Sequence, residues 1–204
     1  MVNATGLTGA RIDKMLNGKE AKAEGKDARS GRRTVGLVIV NTGRGKGKTT
    51  AALGMFLRAW GWEMKVVMLQ FIKSSKADWG EHKAARRMGV ELLSLGTGFS
   101  WKDKNTQTGR HRATKLWDLA KEKISSGEYD MVILDELSYP LRYGWLSPEE
   151  VLGVLRNRPK GLHVVITGRD VSQKCIDFAD MVTEMREVKH PLRKGIKAQP
   201  GIEF

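Results

Sequence analysis

Cysteine is almost absent: the 204 residues contain only Cys175. One thiol cannot build an internal disulfide framework, and it suits a reducing compartment. No apolar run approaches the roughly 20 residues that a membrane-spanning helix needs. The first residues carry no apolar core of the signal-peptide kind, so a cytoplasmic protein is expected, with no role for a membrane. Acidic residues are also scarce, 23 Asp and Glu against 36 Lys and Arg, which leaves a net charge of +13. What remains is ordinary. An apolar fraction of 40% and a charged fraction of 29% are those of a globular chain rather than a disordered one. A chain of this length buries a core without metal or disulfide staples.

The positive charge is spread over the chain. Residues 1–33 carry a net +4, residues 186–204 a net +3, and the stretch between them the remaining +6. Such an excess suits nucleic acid, an anionic small molecule or an acidic protein partner, and it also serves solubility. Charge alone does not choose among these.

Residues 1–33 read as a polar N-terminal extension, partly helical or disordered. Ile12, Met15 and Leu16 make a short i, i+3, i+4 stripe, too small an apolar face to hold a helix without a docking surface. The pattern changes at Thr34, and residues 34–204 read as one α/β domain. Val35 to Val40 is a β-branched run expected to be a buried strand. Strands are likewise expected at Lys65 to Phe71, Val90 to Leu95, Met131 to Leu134, His163 to Thr167 and 181–184. Helices are expected at Thr49 to Trp60, 80–88, 109–126, from Pro148 onward, and near 172–179. Pro148 stands at the first helical position behind a Ser147 cap, with Glu149 and Glu150 in the first turn. Alternating strands and helices imply a mostly parallel sheet flanked by helices, whose ligands bind beyond the carboxyl ends of the strands.

The strongest local pattern is Thr42-Gly43-Arg44-Gly45-Lys46-Gly47-Lys48-Thr49, placed between an expected strand and an expected helix. That context makes it a phosphate-binding P-loop. Glycines let successive backbone N–H groups curl around phosphate oxygens, and the helix N-terminus adds partial positive charge. Lys48 supplies a point charge, and the Thr49 hydroxyl is a ligand for Mg²⁺. Thr50 continues the helix start, and Arg44 and Lys46 add cations suited to a polyphosphate. Thr42 stands where an ordinary P-loop begins with Gly.

Val132-Ile133-Leu134-Asp135-Glu136 is an apolar strand ending in two carboxylates, about 86 residues beyond the loop lysine. It reads as a Walker B element, in which Asp135 or Glu136 holds the metal or its water shell. Together the two elements indicate a P-loop NTPase fold of RecA-like architecture that binds a nucleoside triphosphate. They leave its fate open: a nucleic-acid-stimulated ATPase, a small-molecule kinase and a non-catalytic nucleotide-binding chaperone all remain compatible.

Further segments narrow the choice. TGRGKGKTTAA (Thr42 to Ala52), LQFIK (Leu69 to Lys73), GTGFSW (Gly96 to Trp101), LDELSY (Leu134 to Tyr139), VITGR (Val165 to Arg169) and ADMVTEMREVKHPLRKGIKAQPG (Ala179 to Gly201) resemble the ATP:corrinoid adenosyltransferases of vitamin B12 biosynthesis and salvage. In that family the loop also begins with Thr, and Asn commonly stands where Arg44 does. The resemblance implies transfer of the 5′-deoxyadenosyl group of ATP to the Co(I) of cobalamin or another corrinoid, with triphosphate leaving and Mg²⁺ assisting. It implies that Phe99 and Trp101 crowd the lower face of the corrin and exclude its axial ligand, which makes Co(II) easier to reduce. Without the resemblance, two aromatics at i and i+2 read first as one face of a strand or loop packed into the core. It also implies a homodimer and a reduced, flavodoxin-like flavoprotein as electron donor, which a basic rim would steer; nucleic acid is then not an expected partner. Arg169, just beyond an expected strand, is a candidate contact for phosphate or corrin carboxamides. His82, His111, His163 and His190 show no metal-ligand spacing.

Overall fold

The computed structural model describes residues 35–74, 79–96 and 107–204. The short stripe of Ile12, Met15 and Leu16, and Phe99 and Trp101 with it, lie outside the described residues. In chain order the elements are β1 (Val38–Thr42), α1 (Lys48–Gly61), β2 (Val66–Ser74), α2 (Gly80–Met88), β3 (Glu91–Gly96), α3 (Gln107–Ser125), β4 (Met131–Asp135), α4 (Ser138–Arg142), α5 (Pro148–Arg156), β5 (His163–Thr167), α6 (Gln173–Phe178) and β6 (Met181–Glu184). A short 3₁₀ turn, Pro191–Lys194, follows.

The six strands form one sheet in the order β3-β2-β4-β5-β1-β6, and every pairing is parallel. This is the α/β class expected from the sequence. Because all strands run one way, Thr42, Asp135, Thr167 and Glu184 end on the same edge of the sheet. That edge is where such sheets bind ligands.

Side chains alternate between the two faces of a strand, and here both faces are apolar. Val38, Val40, Val67, Leu69, Val132, Leu134, Val164 and Ile166 point to one face, where they meet Leu116, Trp117, Ala120 and Ile124 of α3 and Val151, Leu152 and Leu155 of α5. Ile39, Val66, Met68, Met131, Ile133 and Val165 point to the other, against Ala52, Phe56 and Ala59 of α1 and Ala85 of α2. Each fully buried Val, Leu or Ile stabilises the fold by about 1.5–3 kcal/mol. β6 is an edge strand, and all four of its residues are exposed. Among the described residues no helix is long and apolar enough to cross a membrane.

Some boundaries differ from the sequence-based expectation. The first strand starts three residues later and runs on to Thr42, with Val35 70% exposed. Its partners decide this: β5 and β6 pair with Val38 to Thr42, while Gly36 packs tightly on the Leu162 backbone ahead of the ladder. The second strand extends beyond Phe71 to Ser74 because pairing to β3 resumes at Ser74 after an irregularity. Helix α4 was not among the expected elements. Pro140 sits in its first turn, where backbone N–H groups have no intrahelical acceptor to lose. Helix α5 begins as expected, with the Ser147 side chain accepting from the Glu150 N–H and Pro148 at the start.

Candidate active site

The loop from Thr42 to Lys48 joins β1 to α1. Gly43 and Gly47 have φ of +94° and +108°, in the left-handed region that only Gly occupies cheaply. A second constraint is not visible in the sequence. A Cβ on Gly43 would lie 2.5 Å from the Met185 carbonyl oxygen, and one on Gly45 would lie 2.7 Å from it. The chain leaving β6 therefore runs directly against the loop, and the Gly45 N–H donates to the Met185 carbonyl at 2.6 Å. One loop amide is thus already committed within the protein, so the ring of donors is smaller than the sequence suggests.

Lys48 is buried and its Nζ donates to the carbonyls of Gly43, at 2.9 Å, and Gly45, at 2.6 Å. The ammonium is folded back under its own loop. Burial lowers its pKa, and the charges of Arg169 and Lys46 act in the same direction against Glu136 and Asp135. The other loop cations point elsewhere. Arg44 is exposed and lies 3.9 Å from Asp170, which is also paired with Arg142 at 2.9 Å. Lys46 is paired with Glu203 at 2.7 Å. Thr42 is buried, and its hydroxyl accepts from the Val171 N–H at 3.4 Å. Thr50 is exposed on α1.

Asp135 ends β4 and is fully buried. Its Oδ1 accepts from the hydroxyls of Thr49, at 2.9 Å, and Thr167, at 2.7 Å. Its Oδ2 accepts from the Gln70 amide at 3.2 Å. Strand β5 lies between β1 and β4, so Thr167 stands between the phosphate loop and the acid. Burial raises the Asp135 pKa, against the hydrogen bonds from Thr167 and Thr49. Glu136 follows with φ of +60°, and its N–H donates to the Thr167 hydroxyl at 2.9 Å. The Glu136 Oε2 atom is shielded from solvent and has no hydrogen-bond partner among the described residues. Burial, then repulsion from Asp135, pushes the Glu136 pKa up to about 7.

The structure therefore brings Lys48, Thr49, Asp135 and Glu136 together. Arg169 is exposed, yet near enough for its charge to act on both Lys48 and Glu136. Arg44 and Lys46 turn away to acidic partners of their own. Sequence reasoning passed over Gln70, Thr167, Met185 and Glu203. Gln70 did leave a signal, as one amide in the otherwise apolar run Val66 to Phe71. Of the histidines, His163 Nδ1 accepts from the Leu37 N–H, and His190 Nδ1 caps the 3₁₀ turn by accepting from Leu192. His82 is buried beside Gln70, and Cys175 is a buried free thiol.

Hydroxyl and carboxylate oxygens on Thr49, Asp135 and Glu136 are hard donors that fit Mg²⁺, and the unpartnered Oε2 leaves one lone-pair site open. Among the described residues no cluster of three or more His, Cys, Asp and Glu is placed to cage a metal. A site with few protein ligands suits a cation held largely by phosphates and water.

Comparison with known proteins identifies the family. Residues 34–204 match the family model described as ATP:corrinoid adenosyltransferase BtuR/CobO/CobP. The corrinoid adenosyltransferase of Sinorhizobium sp is 42% identical over 172 residues, which are 83% of this chain and 80% of that one. The corrinoid adenosyltransferase of Escherichia coli K12 is 42% identical over 169 residues, 83% of this chain and 86% of that one. A solved structure, the flagellar accessory protein FlaH from Methanocaldococcus jannaschii, aligns with a TM-score of 0.47 at 11% identity, over 76% of this chain and 73% of that one. With its phosphate loop, its acid-tipped strand and relatives of this similarity, the chain belongs to the ATP:corrinoid adenosyltransferase family of enzymes.

Proposed function

We propose that this enzyme moves the 5′-deoxyadenosyl group of ATP onto the Co(I) centre of cobalamin or a related corrinoid and releases inorganic triphosphate. The family supplies the two substrates, ATP and a corrinoid. The observation that carries the reading is the convergence of Lys48, Thr49 and Asp135 at the carboxyl edge of the sheet.

In the reaction the cobalt electron pair forms the Co–C5′ bond. The C5′–O bond breaks, and its electrons leave with the triphosphate. Negative charge grows on the departing group, so cations and N–H dipoles aimed at it speed the step. Lys48 exchanges the carbonyls of Gly43 and Gly45 for phosphate oxygens. The α1 N-terminus and the N–H groups of Gly43, Gly47, Lys48 and Thr49, which have no acceptor among the described residues, support the same charge, with Thr42 and Thr50 flanking them. Thr49 and Asp135 are the residues that would hold Mg²⁺, with Glu136 as the second carboxylate beside them. That ion, when bound, offsets triphosphate charge. Arg169, and Arg44 once released from Asp170, are placed for phosphate or corrin carboxamides. No general base is required, because the nucleophile is a metal centre.

Phe99 and Trp101 are assigned to the lower corrin face, where they exclude an axial ligand. Residues 34–204 form the transferase domain and residues 1–33 an extension to it. The enzyme works as a cytoplasmic homodimer and takes electrons from an acidic, flavodoxin-like protein steered by the basic surface.

Incubation with ATP, Mg²⁺ and chemically reduced cobalamin tests the reaction. The expected products are a light-sensitive cobalt–carbon chromophore and intact triphosphate. ADP or phosphate without adenosylated corrinoid, with or without nucleic acid, overturns the proposal. Lys48→Ala is expected to weaken use of ATP with every corrinoid. Phe99→Ala and Trp101→Ala are expected to spare catalysis when Co(I) is supplied chemically, and to slow it when reduction starts from Co(II). Equal loss in both regimes refutes the axial-face role.

A further inference from the structure

Behind the acid lies a buried polar cluster that the transfer chemistry does not use. Gln70, on β2, is fully buried and lies in register with Asp135 of the neighbouring β4. Its amide nitrogen donates to Asp135 Oδ2 at 3.2 Å and to Glu81 Oε1 at 3.3 Å. Its amide oxygen faces His82 Nε2 at 2.8 Å and accepts from the Ser94 hydroxyl at 3.0 Å. Glu81 is paired in turn with Lys73. Ionised carboxylates only accept, so the two acids require the NH₂ end of the amide, and the oxygen is left to His82 and Ser94. His82 then donates from Nε2, the tautomer this arrangement requires. Four partners lock the amide in one orientation.

The lock has a consequence for Asp135. A carboxylate at the end of a strand turns about its last torsion unless both oxygens are held. Among the described residues, Thr49 and Thr167 hold Oδ1 and Gln70 alone holds Oδ2. Without the amide, Oδ2 is a buried acceptor with no donor among the described residues, and it has reason to rotate toward the hydroxyls. We propose that Gln70 is the positioning residue for Asp135. Held by the Glu81–His82 turn of α2 and by Ser94 of β3, it keeps Oδ1 turned toward Thr49 and the metal–phosphate position. This rests on the reading of Asp135 as a metal-holding acid given above. Partners that orient metal ligands typically contribute 10–100-fold to metal affinity.

The test measures ATP affinity by calorimetry on the full chain, once with excess Mg²⁺ and once with chelator. The wild type is expected to bind MgATP more tightly than metal-free ATP. Gln70→Leu, similar in volume, is expected to cut that metal-dependent gain about tenfold or more while changing metal-free affinity less than about twofold. A merely structural role would weaken both alike. Ser94→Ala removes one bond to the amide oxygen and little volume, so it decides the matter if Gln70→Leu does not fold. It is expected to reduce the same ratio by a few-fold, with an unchanged circular dichroism spectrum. Asp135→Asn separates the two claims. If Asp135→Asn abolishes the metal-dependent gain while the folded Gln70 and Ser94 variants match the wild type, the positioning role is overturned and the site reading stands. If the wild type shows no gain, or Asp135→Asn keeps it, both fall.

Discussion

Replacing Glu136 with Gln removes a charge from a place where the fold resists it, and the effect on stability is set by pH. The side chain is partly buried, with Oε2 shut off from water, and its pKa rises from 4.5 to about 7. A carboxyl raised in this way binds its proton more tightly folded than unfolded. Below about pH 4.5 both states are protonated and the group is neutral to stability. Between about pH 4.5 and 7 the unfolded chain has lost the proton and the folded one has not, so stability falls as pH rises. Above about pH 7 the full penalty is present. A shift of roughly 2.5 units corresponds to at most about 3 kcal/mol. E136Q keeps the shape and the positive φ, so backbone strain is common to both proteins and cancels. The stability of E136Q relative to wild type should therefore grow by about 3 kcal/mol from pH 4.5 to 7.5. That is roughly 6–12 °C in melting temperature for a chain of this size. Urea unfolding of both proteins at pH 4.5, 6.0 and 7.5 measures it. Repulsion from Asp135, which is retained in both proteins, is already contained in the Glu136 shift and is not counted again. A difference that stays constant with pH, or shrinks, refutes the account.

Two further outcomes follow from the loop. Gly45→Ala places a methyl 2.7 Å from the Met185 oxygen, so the loop must move, and ATP affinity should drop at least about tenfold. Gly54→Ala, with open space around it in α1, should instead stabilise by about 0.5–1 kcal/mol and leave affinity alone; equal behaviour of the two variants contradicts the close-packing argument. Glu203→Gln frees Lys46 from its ion pair, so ATP affinity should rise a few-fold at low salt and the gain should fade as salt screens it. Unchanged affinity at about 50 mM salt would show that Lys46 plays no part in holding phosphate.

Much of the architecture is legible in local pattern. Apolar runs such as Val132 to Leu134 have no polar side on which to face water, so they read as strands of a sheet covered on both faces. Glycines at 43, 45 and 47 between such a strand and a helix read as a phosphate loop, because few other chemistries need that spacing. Helix α4 was hidden because a proline in a first turn looks, in sequence, like a proline that ends a helix. The extent of β1 was misjudged because its ends are set by β5 and β6, more than 120 residues away along the chain.

The site divides in the same way. Lys48, Thr49 and the acid pair Asp135 and Glu136 were legible as neighbours because each stands at the end of a strand or the start of a helix on one edge of a parallel sheet. Which acid meets Thr49, that Arg44 and Lys46 are drawn off to Asp170 and Glu203, and that Met185 takes a loop amide were all decided by the tertiary structure. The sequence by itself determined the alternation of strands and helices, and with it the edge of the sheet at which the triphosphate site is proposed. Only packing decided how far each charge reaches that edge, because a charged side chain goes to the nearest partner in space, and distance along the chain does not measure that.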